Sequence, residues 1–286
     1  MLLESVPNIS EGRDVETIDR CVYAVRACGA SVVHRTSDPV HNRSVLTMAG
    51  EYEQLREAAV ALAAVTVERI DLRKHTGVHP RIGALDVLPF IPLRDASMND
   101  AVRLAREVAE AIWERVRVPS FLYGEAAATP LRRNLAAVRQ GQFEGLDARF
   151  ELPDWRPDFG DLPKHPSAGA VAIGARKLLI AFNVELATGD LTVARRIAAM
   201  LRERDGGLRT LKALGLRLGE NLVQVSLNVT DYRATPLYRV TELVRELASQ
   251  AGVPVLRSEL IGCLPYAAVE ECARYYLGVS SMEEDR

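Results

Sequence analysis

The apolar pattern of the chain runs through the same order of elements twice, and that repetition restricts the folds open to it. In the first half, residues 2–6 read as a short strand ending at Pro7-Asn8. Asp14 is placed to cap a helix with Val15, Ile18, Val22 and Val25 on one face, and Gly29 stops it. Residues 30–33 read as a strand, and a polar turn over 34–43 leads into a second strand at 44–49. Leu55, Ala59, Leu62 and Val65 fall at helical spacing within 51–69, and an apolar strand over 85–91 closes the unit. The order is β-α-β-β-α-β.

The second half follows the same plan with different residues. A strand at 177–184 precedes a helix at 191–201 with Ala194, Ile197, Ala198 and Leu201 on its core face. Strands at 211–218 and 222–229 meet in a hairpin-like turn at Gly219-Glu220-Asn221. A helix carrying Leu237, Val240, Val244 and Leu247 leads to a strand at 253–256 and a final helix at 266–277. The expected fold is α/β (α+β): two β-α-β-β-α-β layered sandwich subdomains, 1–176 and 177–286, with a cleft between them.

An extension separates the halves. Asn99 is expected to cap a helix with Val102, Ala105, Val108, Ile112 and Val116 inward; a short strand at 120–123 and a helix at 129–139 follow. Residues 141–174 then turn irregular, rich in Gly, Pro and Asp. That is long for a structureless connection, so the stretch reads as a linker or a binding loop.

Composition excludes several classes of function. With 36 basic and 38 acidic residues the formal net charge is -2, which gives no bulk electrostatic case for nucleic acid or a membrane surface. The 48% apolar fraction suffices for packed cores, yet no apolar run is long enough to span a bilayer. The start M-L-L-E-S-V-P-N lacks the basic and apolar regions of a secretory signal, and the tail at 280–286 is expected to fray. The four cysteines, Cys21, Cys28, Cys263 and Cys272, have no zinc-knuckle spacing. A soluble cytoplasmic protein is expected.

Chemistry concentrates in residues 73–92, R-K-H-T-G-V-H-P-R-I-G-A-L-D-V-L-P-F-I-P. Gly77, Gly83, Pro80, Pro89 and Pro92 rule out a continuous helix, leaving a cationic loop with two imidazoles that feeds a buried strand. His75 and His79 are four apart, a spacing that holds zinc on one face of a helix, but Gly77 and Pro80 spoil that helix. Arg73, Lys74 and Arg81 oppose a cation and favour an anionic ligand, so no metal is expected and an acid–base histidine is. An imidazole that only caps turn backbone groups is the other reading of this loop. The segment 34–43 adds His34, His41, Asp38, Asn42 and Arg43, and the expected strand order brings this turn beside the end of the first strand at 8–11. A third stretch, G-D-L-P-K-H-P-S-A-G at 160–169, offers backbone amides, a Lys, a His and a Ser, although neither phosphate-loop pattern is present. Trp155 and Phe159 just before it suit packing more than ligand stacking.

V-P-N-I-S-E-G at 6–12, H-T-G-V-H-P-R-I-G-A-L-D-V at 75–87, P-F-I-P at 89–92, L-Y-G-E-A-A at 122–127, W-R-P-D-F-G at 155–160, G-A-R-K-L-L-I-A-F-N at 174–183 and N-L-x-Q-V-S-x-N at 221–228 together resemble the formiminotransferases. In animals this domain is fused to a cyclodeaminase, and a form without that second activity is expected here. The resemblance spans almost the whole chain. It implies two α/β subdomains with tetrahydrofolate bound as co-substrate in a groove between them, a homodimer, and transfer of a formimino group from N-formimino-L-glutamate to the N5 nitrogen of tetrahydrofolate, late in histidine degradation. It places the catalytic histidine at His79 and the folate loop at Gly160, Asp161, Leu162, Pro163, Lys164, His165, Pro166, Ser167, Ala168 and Gly169. Arg43 and Arg81 suit substrate carboxylates, since a planar guanidinium pairs bidentately. Asn8, Glu11 and Asn42 suit the pterin or the amidine. Family members are expected to carry a tryptophan near Ala168, an acid near Val78, and acids where His34 and Thr36 stand. These departures keep two other readings open: formyl transfer between 5-formyl-tetrahydrofolate and glutamate, and a folate- or anion-binding relative without catalysis. A metal-dependent hydrolase is a more distant third.

Overall fold

A computed structural model of the chain describes residues 1–77, 79–161 and 163–280. Val78, Leu162 and the tail at 281–286, all singled out above, lie outside the described residues. The chain divides into two compact units, Met1–Lys177 and Leu178–Arg286.

The first unit opens on strand β1 (Leu2–Ser5) and strand β2 (Asn8–Ile9), which are one line of backbone broken at Val6-Pro7. Helix α1 (Val15–Ala27) follows, and the Asp14 side chain accepts the amides of Glu16 and Thr17 as the sequence predicts. Strands β3 (Ser31–Asp38) and β4 (Arg43–Glu51), helix α2 (Tyr52–Arg69) and strand β5 (Leu85–Arg94) complete the β-α-β-β-α-β set. Helix α3 (Met98–Val116), strand β6 (Ser120–Gly124), the short helices α4 (Leu135–Val138) and α5 (Leu146–Phe150), and strand β7 (Val171–Ala175) form the extension.

The sheet runs β3, β4, β1/β2, β5, β7, β6. Strands β3 to β5 pair antiparallel, whereas β7 lies parallel to both β5 and β6. Strand β5 is therefore central, and its apolar run Leu85, Val87, Leu88, Phe90 and Ile91 is fully buried. The three long helices pack with the sheet around one core that also holds Leu55, Leu62, Leu104, Val108 and Ile112.

The second unit consists of β8 (Ile180–Leu186), α6 (Leu191–Leu201), β9 (Leu211–Gly219), β10 (Leu222–Val229), α7 (Leu237–Gln250), β11 (Val255–Ile261) and α8 (Tyr266–Leu277). Its antiparallel sheet runs β11, β8, β10, β9, which is the order that β5, β1/β2, β4 and β3 take in the first unit. Ile180, Phe182, Val184 and Leu186 alternate into a core with Val223, Val225, Leu227, Val240 and Val244, as period-two patterning requires.

Four local expectations shift. Strand β3 runs on through His34 and Thr36, because an edge strand with one wet face accepts polar residues. Helix α3 is capped by Ser97 in a reciprocal box with Asp100, and Asn99 lies inside it. The 129–139 segment breaks into a 3-10 turn at Pro130–Arg132 and α4, because Asn134 caps a new start by accepting the Ala136 amide at 3.0 Å. Residues 171–174, expected to be irregular, belong to β7, and the next strand, expected from 177, starts at Ile180.

Candidate active site

Three loops meet at one end of the first sheet. They are the 8–12 turn after β2, the 38–43 turn between β3 and β4, and the cationic loop before β5. Two glycines permit the approach. A Cβ on Gly12 would stand 2.3 Å from the Asp38 carbonyl oxygen, and one on Gly77 would stand 2.5 Å from that of His41. Asn42 stitches the three together from a left-handed conformation (φ 49°). Its Oδ1 accepts the Gly12 amide at 2.9 Å and its Nδ2 donates to the Thr76 carbonyl at 3.0 Å. The side chain is buried, and both ends of the amide are engaged by backbone.

His79 and Arg43 hold the centre. An Arg43 Nη1 donates to His79 Nε2 at 2.7 Å and to Asn8 Oδ1 at 3.2 Å. A guanidinium only donates, so Nε2 carries the imidazole lone pair. Burial first, and then the charges of Arg43, Arg139 and His41, push the His79 imidazolium down to about 3. His79 is thus a neutral ring with its basic nitrogen turned toward a cation. Burial and the neighbouring charge of Arg139 also lower Arg43. Arg139 is itself paired with the buried carboxylate of Asp86, whose other oxygen accepts the Ile82 amide at 2.7 Å. Arg43, beside a neutral imidazole and bonded to no carboxylate among the described residues, favours an anionic ligand.

The other histidines are differently employed. His75 Nε2 donates to the Asn42 carbonyl at 3.0 Å and its Nδ1 accepts from Arg81 Nε at 3.2 Å, so both ring nitrogens serve the loop itself. His41 Nδ1 lies 2.6 Å from Asp38 Oδ2, and its ring centre is 6.3 Å from that of His79, edge to face. His165 Nδ1 accepts the amides of Ala168 at 3.0 Å and Ser167 at 3.4 Å, closing a tight turn.

Arg81 forms a two-pronged pair with Glu144, at 3.0 and 2.8 Å, which holds the Glu144 carboxyl below the usual range. Glu11 uses one carboxylate oxygen on the amides of Arg13 at 2.7 Å and Asp14 at 2.9 Å. Within 160–169, the backbones of His165 and Gly169 bond to each other both ways, at 3.1 and 2.9 Å. Gly169 has φ 70°, and a Cβ there would stand 2.1 Å from the Ile82 carbonyl oxygen. Ser167 offers its carbonyl to the Leu72 amide at 2.8 Å, and Ala168 lies in the core, 1% exposed. Lys164 pairs with Asp147 over the Phe143 ring. Asp161, Pro163 and Pro166 are exposed.

The preceding W-R-P-D-F segment is anchored by Arg132. Its Nη1 donates to Asp158 at 2.6 Å and its Nη2 to the Asp154 and Arg156 carbonyls, both at 2.7 Å. Trp155 stacks on Arg149, 3.4 Å from guanidinium carbon to ring centre, and packs edge-on to Phe121. It is a packing tryptophan, as its neighbourhood in sequence suggests.

Sequence reasoning gave no role to Arg139, Glu144, or the pairing of Asp38 with His41. Arg139 and Glu144 lie more than fifty positions from the residues they touch, and nothing local marks them. The Asp38–His41 spacing is itself a turn signal, and it could have been read as one.

The assembly therefore defines a class: an α/β protein with a neutral imidazole set among guanidiniums, suited to moving a proton beside an anionic substrate. The chain belongs to the formiminotransferase family. The model of the formiminotransferase domain's N-terminal subdomain matches residues 2–176, and that of the formiminotransferase domain matches 181–284. The chain is 41% identical to a glutamate formimidoyltransferase of Streptococcus pyogenes serotype M1, over 99% of this chain and 95% of that protein. It is 42% identical to a glutamate formimidoyltransferase of Thermoplasma acidophilum, over 99% of this chain and 94% of the other. It is also 41% identical to a formimidoyltransferase-cyclodeaminase of Rattus norvegicus, over 96% of this chain but 52% of that longer protein.

Proposed function

We propose that the protein transfers the formimino group of N-formimino-L-glutamate to tetrahydrofolate, yielding 5-formimino-tetrahydrofolate and L-glutamate. The observation that carries this reading is the neutral His79 beside Arg43 and Arg139, within a chain that matches single-activity glutamate formimidoyltransferases over nearly their full length. The attacking nitrogen of tetrahydrofolate must lose a proton as it bonds to the amidine carbon, and neutral His79 is placed to take it. Arg43 attracts a carboxylate of glutamate, and Arg139, tied to Asp86, stands behind it. As a carboxylate engages Arg43, the guanidinium leaves Nε2, and the base is uncovered. Arg81 adds a second cation once Glu144 gives way.

The turn at 160–169 is the proposed folate-binding loop, with its exposed rim at Asp161, Pro163 and Pro166 and its backbone fixed by His165. Asn8, Glu11 and Asn42 shape the floor of the site. The subdomains divide as 1–176 and 177–286, and the enzyme works as a cytoplasmic homodimer without a metal, nucleic acid or a membrane. Among the described residues no helix is long and apolar enough to cross a membrane, and no cluster of three metal-ligating side chains is present.

The test is tetrahydrofolate-dependent release of glutamate from N-formimino-L-glutamate by the purified protein. Release is expected; reduced-folate binding without release would sink the reading.

A further inference from the structure

We propose that His41, held by Asp38, is the general acid of the transfer, giving a proton to the departing glutamate nitrogen while His79 takes one from the attacking nitrogen. This rests on the transfer reading above. The proton count balances: the N5–H proton goes to His79, the new N–C bond forms, the old C–N bond breaks, and the His41 proton goes to the leaving amine. His41 then recovers a proton from water, and His79 gives one up.

The geometry divides the two roles. The attacking and leaving nitrogens sit on one tetrahedral carbon, so their acid and base must be neighbours. The two rings are, with centres 6.3 Å apart and planes crossing at 69°. Asp38 Oδ1 is fixed by the amides of Val40 at 2.8 Å and His41 at 2.9 Å, which leaves Oδ2 for His41 Nδ1 at 2.6 Å. A carboxylate on Nδ1 stabilises the imidazolium and points the opposite nitrogen, Nε2, away from the turn. That nitrogen has no hydrogen-bond partner among the described residues, and the side chain is 46% exposed, so it can exchange with water. His79 is built the other way, with a guanidinium at its Nε2 and no carboxylate partner among the described residues. The charge of His41 is among the causes that hold His79 neutral.

Charged groups on the elements around His41 include Asp38 on its own turn, Arg43 and Arg139, whose charges act on His79, and Arg13, whose guanidinium bonds the Pro39 carbonyl at 2.8 Å and Thr76 at 3.2 Å. His75, bonded to the next carbonyl, completes the set.

The experiment is the pH profile of glutamate release, from about pH 5 to about pH 9, for the wild type, His41→Asn and Asp38→Asn. Asn at 38 keeps the oxygen that receives the turn amides. His41→Asn should lower kcat about a hundredfold or more with little change in KM, and should abolish the alkaline fall in rate. Asp38→Asn should lower kcat with little change in KM, because the ring loses the carboxylate that orients it. A formamidine donor that releases a weakly basic aryl amine should restore the variant to within about tenfold of wild type, because that leaving group needs little protonation. Wild-type turnover together with an unchanged profile in His41→Asn overturns the proposal alone, as does a uniform loss that keeps the alkaline limb. A wild type that releases no glutamate overturns the transfer reading and this proposal with it.

Discussion

Arg43 Nη1 lies 2.7 Å from His79 Nε2, so the basic nitrogen of the site is covered by a cation until something draws that cation away. In the proposed transfer an anionic substrate does so by its own charge. Removing Arg43 should therefore have two separable effects. In Arg43→Ala the His79 ring should titrate above the wild-type value of about 3 but below 6.5, because burial is the larger cause of the shift and remains. Neutral imidazole is the form present above its pKa, so the acid limb of activity should move to higher pH. Ring-proton NMR titration checks the first effect, and a pH–rate profile the second. An unmoved His79 titration would show that the contact carries no electrostatic weight.

His79→Ala should lower turnover about 100- to 10,000-fold, the usual worth of a positioned acid–base group. Its melting temperature should stay close to wild type or rise slightly near neutral pH, since a buried imidazole held neutral contributes little stability there. The sign reverses in acid. The folded-state pKa lies below the unfolded one, so the unfolded chain binds more protons between about pH 6.5 and about pH 3. Stability attached to His79 is lost as pH falls through that window, and the variant should lose less.

Asn42→Ala should destabilise the first unit by about 2–3 kcal/mol, since it strands the Gly12 amide and the Thr76 carbonyl and puts alanine at positive φ. Activity should fall further than stability accounts for, because the same amide aligns the turns carrying His41 and His79. Chemical denaturation and turnover measured on the same preparation separate the two.

Arg132→Ala should cost about 3–5 kcal/mol, the usual penalty for removing one partner of a buried ion pair. Asp158 and the carbonyls of Asp154 and Arg156 all lose their donor. Trp155 reports on this segment, so its fluorescence should shift before global unfolding in urea. Coincident transitions would mean that the segment is held by its apolar packing instead.

Much of this architecture was readable from period and punctuation. Asp14 and Gly29 bracket α1 because caps act within a few residues, and both halves showed their element order because apolar alternation is local. What failed to show was settled at a distance. Strand β7 looked like loop because its neighbours are Gly- and Pro-rich, and only β5 and β6 on either side make it a strand. Residue type and spacing alone made His75 and His79 equivalent, and only the family resemblance chose His79. Their difference lies in partners from other loops: the Asn42 carbonyl and Arg81 occupy one ring, and Arg43 meets the other. Arg139 was invisible as a site residue, since its approach to Arg43 and His79 depends on the break at Asn134.

The parallel insertion of β7 also sets a timetable for synthesis. Strand β6 has no other strand partner among the described residues, and the outer edge of β5 waits for the same segment. A nascent chain that has emerged through α3 and β6 therefore exposes the unpaired edge of its most apolar strand until Val171–Ala175 arrives. Such an edge recruits other chains readily. A ribosome stalled before that point would release an aggregation-prone fragment, so the stretch between β6 and β7, with its short helices α4 and α5, is also the interval over which the growing polypeptide is most in need of a chaperone.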